Sequence, residues 1–224
     1  MEQNILDEVR DIKKSLRLAM NGVVSTLQRR QGLDYKINFG VEIPRIKEIA
    51  ATHKKSKSLA QSLWQENIRE CKLLAIFLYP TEEFDTATAE KWIAECGFTE
   101  IADHQSRTLL ATLPEATKTS LKWATDKNEM AKYCGLSTLS NLFTKKATLT
   151  SEEEKAYFEA LKNTLHTPGT NSKPTQNAAN ISLIKFADSN EEQRARACAE
   201  IKSWGIEKES ALGNLVENLL EEVG

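Results

Sequence analysis

Glycine and proline are scarce in this chain. Its 224 residues include 9 Gly and 5 Pro, and long stretches run without either. A turn-rich β fold uses more of both, so the deficit points to helix. Long apolar runs are missing too: none approaches the roughly 18 residues that a membrane span needs. The opening stretch, MEQNILDEVRDIKK, mixes acids and bases and has no apolar signal-peptide core. A soluble, cytoplasmic protein without a membrane partner is therefore expected. Cysteine is limited to Cys71, Cys96, Cys134 and Cys198, widely spaced and in no zinc pattern. Each falls inside a helical apolar pattern, so buried free thiols are expected, as in a reducing compartment. His53, His104 and His166 are equally scattered. Neither a metal site nor a cofactor is expected.

What is present makes a globular protein. Hydrophobic residues are 40% of the chain, which excludes disorder, and the length suffices for a real core. The net charge of −2 hides an asymmetry. Residues 1–60 carry 12 Lys+Arg against 7 Asp+Glu, and the remainder 18 against 25. The overall balance argues against a dedicated high-affinity nucleic-acid binder. The basic front still allows a local phosphate-facing surface, with ordinary solvated charge as the plainer account. Arg29, Arg30, Arg45, Lys47, Lys54, Lys55 and Lys57 are the candidates there. Lys118, Lys122, Lys127 and Lys132 could extend a basic lining.

Helical periodicity runs nearly throughout. Ile5, Val9, Ile12 and Leu16 share one face of a first helix, and 23–33 gives a second. Residues 33–43 are irregular and punctuated by Gly40. Pro44 then suits the first turn of a helix burying Ile46, Ile49 and Ala50. Helices follow at 59–64 and 68–79, then one capped by Asp85 and stopped by Gly97, one at 98–113, and a pair at 116–125 and 128–144. Thr150 with Glu153 has capping-box spacing. After a loop at 166–177, overlapping its start, come helices near 174–187, 190–204 and 208–222, the last acidic through Glu217, Glu221 and Glu222. Eleven or twelve helices and no strand are expected. LWQENIRECKLLAIFLYP, WATDKNEMAKYCGLSTLSNLF and LHTPGTNSKPTQNAANISLIKFA each end one helix, turn through polar residues and begin an apolar one. The expected fold is all-α, a single 1–224 domain of degenerate HEAT-like repeats forming an α-solenoid, whose concave face usually binds. Trp64, Trp92, Trp123 and Trp204 are expected as packing residues.

NFGVEIPRIKEIA followed by LAQSLWQENIRECKLLAIFLYP resembles the front half of the HEAT-repeat alkylpurine DNA glycosylases, the AlkD-type DNA alkylation repair family. The residues carrying the likeness are Gly40, Val41, Pro44, Arg45, Leu63, Trp64 and Glu70. It covers about residues 20–190. The resemblance implies helix pairs cradling duplex DNA, and a carboxylate that stabilises the oxocarbenium-like sugar as an alkylated purine leaves. In GFTEIAD, 97–103, Asp103 falls on that carboxylate, while the family's Trp four residues earlier is Thr99. The position of a phosphate-binding Arg falls near Tyr133, and that of a second sugar-facing Trp near Ile181. A monomeric, duplex-DNA-binding member whose base excision is lost or altered is therefore expected. Two alternatives stay open: an active glycosylase using Asp103, and a scaffold for a protein partner. The plainer account of Asp103 is a solvated helix carboxylate paired with Arg107 at i+4.

Overall fold

The computed structural model of the chain describes residues 2–166 and 171–205. The expected acidic helix at 208–222 and the middle of the 166–177 loop lie outside them. The chain divides after Asp85 into two compact units.

The first unit holds α1 (Glu2–Leu18), α2 (Gly22–Arg30), α3 (Ile43–Ala51), α4 (Lys57–Gln65), α5 (Arg69–Leu78) and a 3-10 turn, Thr81–Glu83. α1 buries Val9, Ile12 and Leu16, one helical face. α3 opens on Pro44 and buries Ile46, Ile49 and Ala50, as its spacing predicted. Trp64 is fully buried at the end of α4, which packs on α5. α2 is different, for it buries no side chain and leaves Val23 80% exposed. Polar contacts hold it. Asn21 caps it by accepting from the Val23 and Val24 N–H groups, and Ser25 Oγ donates to the Asn38 carbonyl at 2.9 Å.

The irregular link between α2 and α3 is fastened from below by α5. Glu70, fully buried, accepts from the Phe39 N–H at 3.2 Å through one carboxylate oxygen and from the Val41 N–H at 3.2 Å through the other. Buried Arg69 donates to the Val41 carbonyl at 2.9 Å and to Glu70 at 3.1 Å. Backbone groups that a loop would normally show to water are thereby satisfied inside the protein. Gly40 is required twice over. Its φ is +71°, and a Cβ there would strike the Asn21 carbonyl and stand 2.6 Å from the Ser25 nitrogen.

The second unit holds α6 (Thr86–Ala94), α7 (Thr99–Thr108), a 3-10 turn (Leu110–Thr112), α8 (Ala116–Ala124), α9 (Glu129–Thr144), α10 (Ser151–Leu165), α11 (Lys173–Ala187) and α12 (Glu191–Ser203). The expected helix over 98–113 breaks at Leu109. A 3-10 turn follows over Leu110–Thr112, and Leu109, Leu110 and Leu113 are all buried. The Thr150–Glu153 capping box forms in full. Helices pack in succession, α8 on α9 and α10 on α11, and α9 also packs on both α7 and α11. The α8–α9 crossing is close enough that a Cβ on Gly135 would meet the Ser120 oxygen and Ala124 nitrogen at 2.5 Å. Phe143, Tyr157, Phe158 and Phe186 form an aromatic cluster with centroids 5.2–5.3 Å apart. All four tryptophans are buried, and all four cysteines are buried and free. Among the described residues there is no strand, only a single parallel bridge between Ile37 and Ile68. No described helix is long and apolar enough to cross a membrane.

Candidate functional site

A cavity of about 730 Å³ opens in the second unit between α7, α9 and α11. From α7 come Asp103 and Arg107, four residues apart and so on one face. From α9 come Tyr133, Ser137, Ser140, Asn141 and Thr144, a polar stripe at helical spacing, with Lys145 at its end. From α11 come Pro174, Asn177, Ala178, Ile181 and Lys185, again one face. The lining thus carries three cations against one carboxylate. α9 and α11 run side by side in the same direction. Near their starts Ser172 N donates to Glu129 at 2.7 Å and Lys132 Nζ to Asn171 at 2.6 Å. At their ends Lys146 Nζ donates to the Asp188 and Ser189 carbonyls at 3.2 and 3.1 Å. Lys145 and Lys185 therefore share the far end of the groove.

Asp103 is half-buried, and one of its oxygens accepts two hydroxyls, Tyr133 Oη at 2.8 Å and Ser137 Oγ at 3.2 Å. Burial first, then the Asp103 charge and its hydrogen bond, push the Tyr133 phenol well above its ordinary value, so it remains a donor. The Thr99 side chain hydrogen-bonds the same phenol. Four residues chosen from sequence are thus gathered: Asp103, Tyr133 and Ile181 line the cavity, and Thr99 reaches it through Tyr133. The plainer account of Asp103 as the i+4 partner of Arg107 is corrected, for Asp103 is held by hydroxyls from α9. Arg107 is exposed and has no ion-pair partner among the described residues.

The basic candidates of the front lie in the first unit. Arg29 and Arg30 end α2, exposed. Arg45 is exposed and pairs with Glu48 at 2.7 Å, which ties up part of its charge. Lys47 stands 5.6 Å over the Phe77 ring. Lys54 and Lys55 are exposed in the turn after α3. In the second unit, Lys118, Lys122, Lys127 and Lys132 do not line the cavity; Lys122 pairs with Glu90 at 3.0 Å and Lys118 approaches Glu115 at 3.7 Å. Of the cations that do line it, Arg107 was read from sequence only as a partner for Asp103, and Lys145 and Lys185 were not singled out. Nor was the α9 stripe, whose signal was the recurrence of Ser, Asn and Thr at steps of three and four after Tyr133. Among the described residues no group of three or more His, Cys, Asp or Glu could hold a metal.

The sequence profile described as DNA alkylation repair enzyme matches residues 28–209. The chain belongs to the DNA alkylation repair enzyme family. One solved structure superposes with a TM-score of 0.77 at 20% identity, covering 96% of this chain and 93% of its own. It is described as a new family of proteins related to the HEAT-like repeat DNA glycosylases with affinity for branched DNA structures. That likeness establishes the HEAT-like helical fold that the repeat pattern predicted. No curated protein matches the chain. In this DNA alkylation repair family member, the cavity of the second unit gathers the positions that the resemblance singled out.

Proposed function

We propose that this DNA alkylation repair family protein binds DNA through its backbone and has lost or altered base excision. The observation that carries the reading is the state of Asp103, facing a cation-lined cavity while two hydroxyls occupy one of its oxygens. A carboxylate that stabilises an oxocarbenium-like sugar acts through its negative charge, aimed at the ring in a preorganised site. Donation from Tyr133 and Ser137 draws that charge toward α9. Aromatic faces beside the sugar would add cation–π support. The positions the resemblance assigns to them hold Thr99, turned to the Tyr133 phenol, and Ile181, an aliphatic side chain. The cations remain. Arg107, Lys145 and Lys185 in the second unit, and Arg29, Arg30, Lys54 and Lys55 in the first, suit phosphates, whose contacts position without reading sequence. The family membership and the solved structure whose description includes affinity for branched DNA support DNA as the partner.

The test is fluorescence anisotropy with a short labelled duplex across a salt series. Binding is expected to weaken with salt at a log–log slope of about −0.9 per phosphate contact. Reversing Arg29, Arg30, Lys54 and Lys55 to Glu is expected to abolish it at moderate salt. Absence of binding at low salt would refute the reading.

A further inference from the structure

We propose, resting on the DNA-binding reading above, that the α7–α9–α11 groove holds a single unpaired DNA strand. Arg107, Lys145 and Lys185 take its phosphates, and a sugar lies beside Asp103.

Width is the first reason. Packed helices lie roughly 8–10 Å apart, and each is about 10 Å across with side chains. The opening over α9, between α7 and α11, is therefore on the order of 10 Å. A duplex, whose major groove alone is about 12 Å wide, cannot sink into it. One sugar–phosphate strand can. Length is the second. From Ser137, which touches Asp103, to Lys145 is eight residues of α9, a run of ~12 Å, so the lysine pair is set apart from Asp103 along the groove, while Arg107 stands one helical turn from Asp103. The lining chemistry is the third. Asp103 is the one carboxylate of the lining, an acceptor suited to a base amino group and repelled by phosphate. Lys145 and Lys185 sit at the opposite end, where phosphate is attracted. Lys145 has no ion-pair partner among the described residues, and Lys185 only a 3.8 Å approach to exposed Asp188. Between the two ends lie Ser140 and Asn141, short hydrogen-bonding side chains that fit a polar backbone. The one aromatic residue of the lining, Tyr133, is buried and tied to Asp103, so no platform for stacked bases is offered. Strand capture here is electrostatic and indifferent to sequence. It favours DNA in which a strand is already unpaired, as at a gap, a flap or a branch.

The test uses the whole chain and three labelled probes: a continuous duplex, the same duplex interrupted by a short single-stranded gap, and a single-stranded oligonucleotide. The variant is Lys145→Gln with Lys185→Gln. The control is Lys155→Gln with Lys162→Gln, exposed on α10 and outside the groove. Wild type is expected to prefer the gapped probe. The Lys145/Lys185 variant is expected to lose about tenfold on the gapped and single-stranded probes, with the salt slope on single strand falling by about 1.4, or 0.7 per charge removed. Its duplex affinity should fall clearly less than its gapped-probe affinity, its thermal melt should be unchanged, and the control should match wild type on all probes. Equal losses on duplex and gapped DNA, unchanged binding of the gapped probe, or equal losses in the control would each overturn this inference while leaving DNA binding intact. Failure of wild type to bind any probe would overturn both.

Discussion

Replacing Glu70 by Gln tests what holds the front of the molecule together. Glu70 and Arg69 are fully buried, and the carboxylate accepts the Phe39 and Val41 N–H groups and the Arg69 guanidinium. Glutamine has nearly the same shape. It removes the charge, however, and places an NH2 where only donors point. The buried guanidinium then loses its Glu70 counter-charge, and at least one backbone N–H faces a donor. Breaking a buried ion pair from one side costs about 3–5 kcal/mol, set against a total stability of about 5–15 kcal/mol for a typical domain. The assay is urea unfolding followed by circular dichroism. With a slope of about 1–3 kcal/mol per molar urea, the midpoint should fall by at least ~1 M. Glu48→Gln is the control. It breaks the Arg45–Glu48 pair, whose side chains are more than half exposed, and should cost less than about 1 kcal/mol. A loss for Glu70→Gln no larger than the control's would refute the view that this pair fastens residues 38–41.

Gly135→Ala should force α8 and α9 apart and cost about 1–3 kcal/mol, lowering the melting temperature by about 2–4 °C per kcal/mol. Gly97→Ala, with open space around it, should leave the melt almost unchanged. Burial, aided by nearby Glu66, pushes the Cys71 thiol from 9.0 up to about 12. The unfolded chain gives up that proton from about pH 9 and the folded chain only near pH 12. Stability should therefore hold below pH 9 and fall above it, by about 1.4 kcal/mol per pH unit for this group. Cys71→Ala should remove that share of the slope, and an unchanged slope in denaturant midpoints across pH 9–11 would contradict it. Asp103→Asn takes a negative charge away from bound phosphates, so DNA affinity by anisotropy should hold or rise severalfold. A tenfold loss would mean that the carboxylate itself grips the DNA.

Local rules made much of the fold legible. Ile46, Ile49 and Ala50 after Pro44, the Thr150–Glu153 box, and the apolar faces around each Trp depend on neighbours within one or two helical turns, and each formed as its spacing predicted. The break at Leu109 was hidden because residues 98–113 contain neither Gly nor Pro to mark it. The site was legible only in part. Asp103, Tyr133 and Ile181 came from a resemblance, and no periodicity relates them. Their convergence depends on α9 packing against both α7 and α11, which brings residues 30 positions apart into hydrogen-bonding distance. Glu70 was noticed as part of a motif, yet its work on the Phe39 and Val41 amides could not be read from a sequence separation of about thirty residues. Arg107 was given a helical partner by spacing, and the hydroxyls of another helix occupied Asp103 instead.

The most direct measurement joins binding to chemistry in one sample. A duplex carrying N7-methylated purines is incubated with the protein at a concentration where anisotropy shows it bound, and free purine is assayed over time. The expected result is bound DNA with no purine release above the protein-free rate. Release above that rate, lost in Asp103→Asn, would contradict the proposal and make Asp103 catalytic despite its two hydroxyl partners.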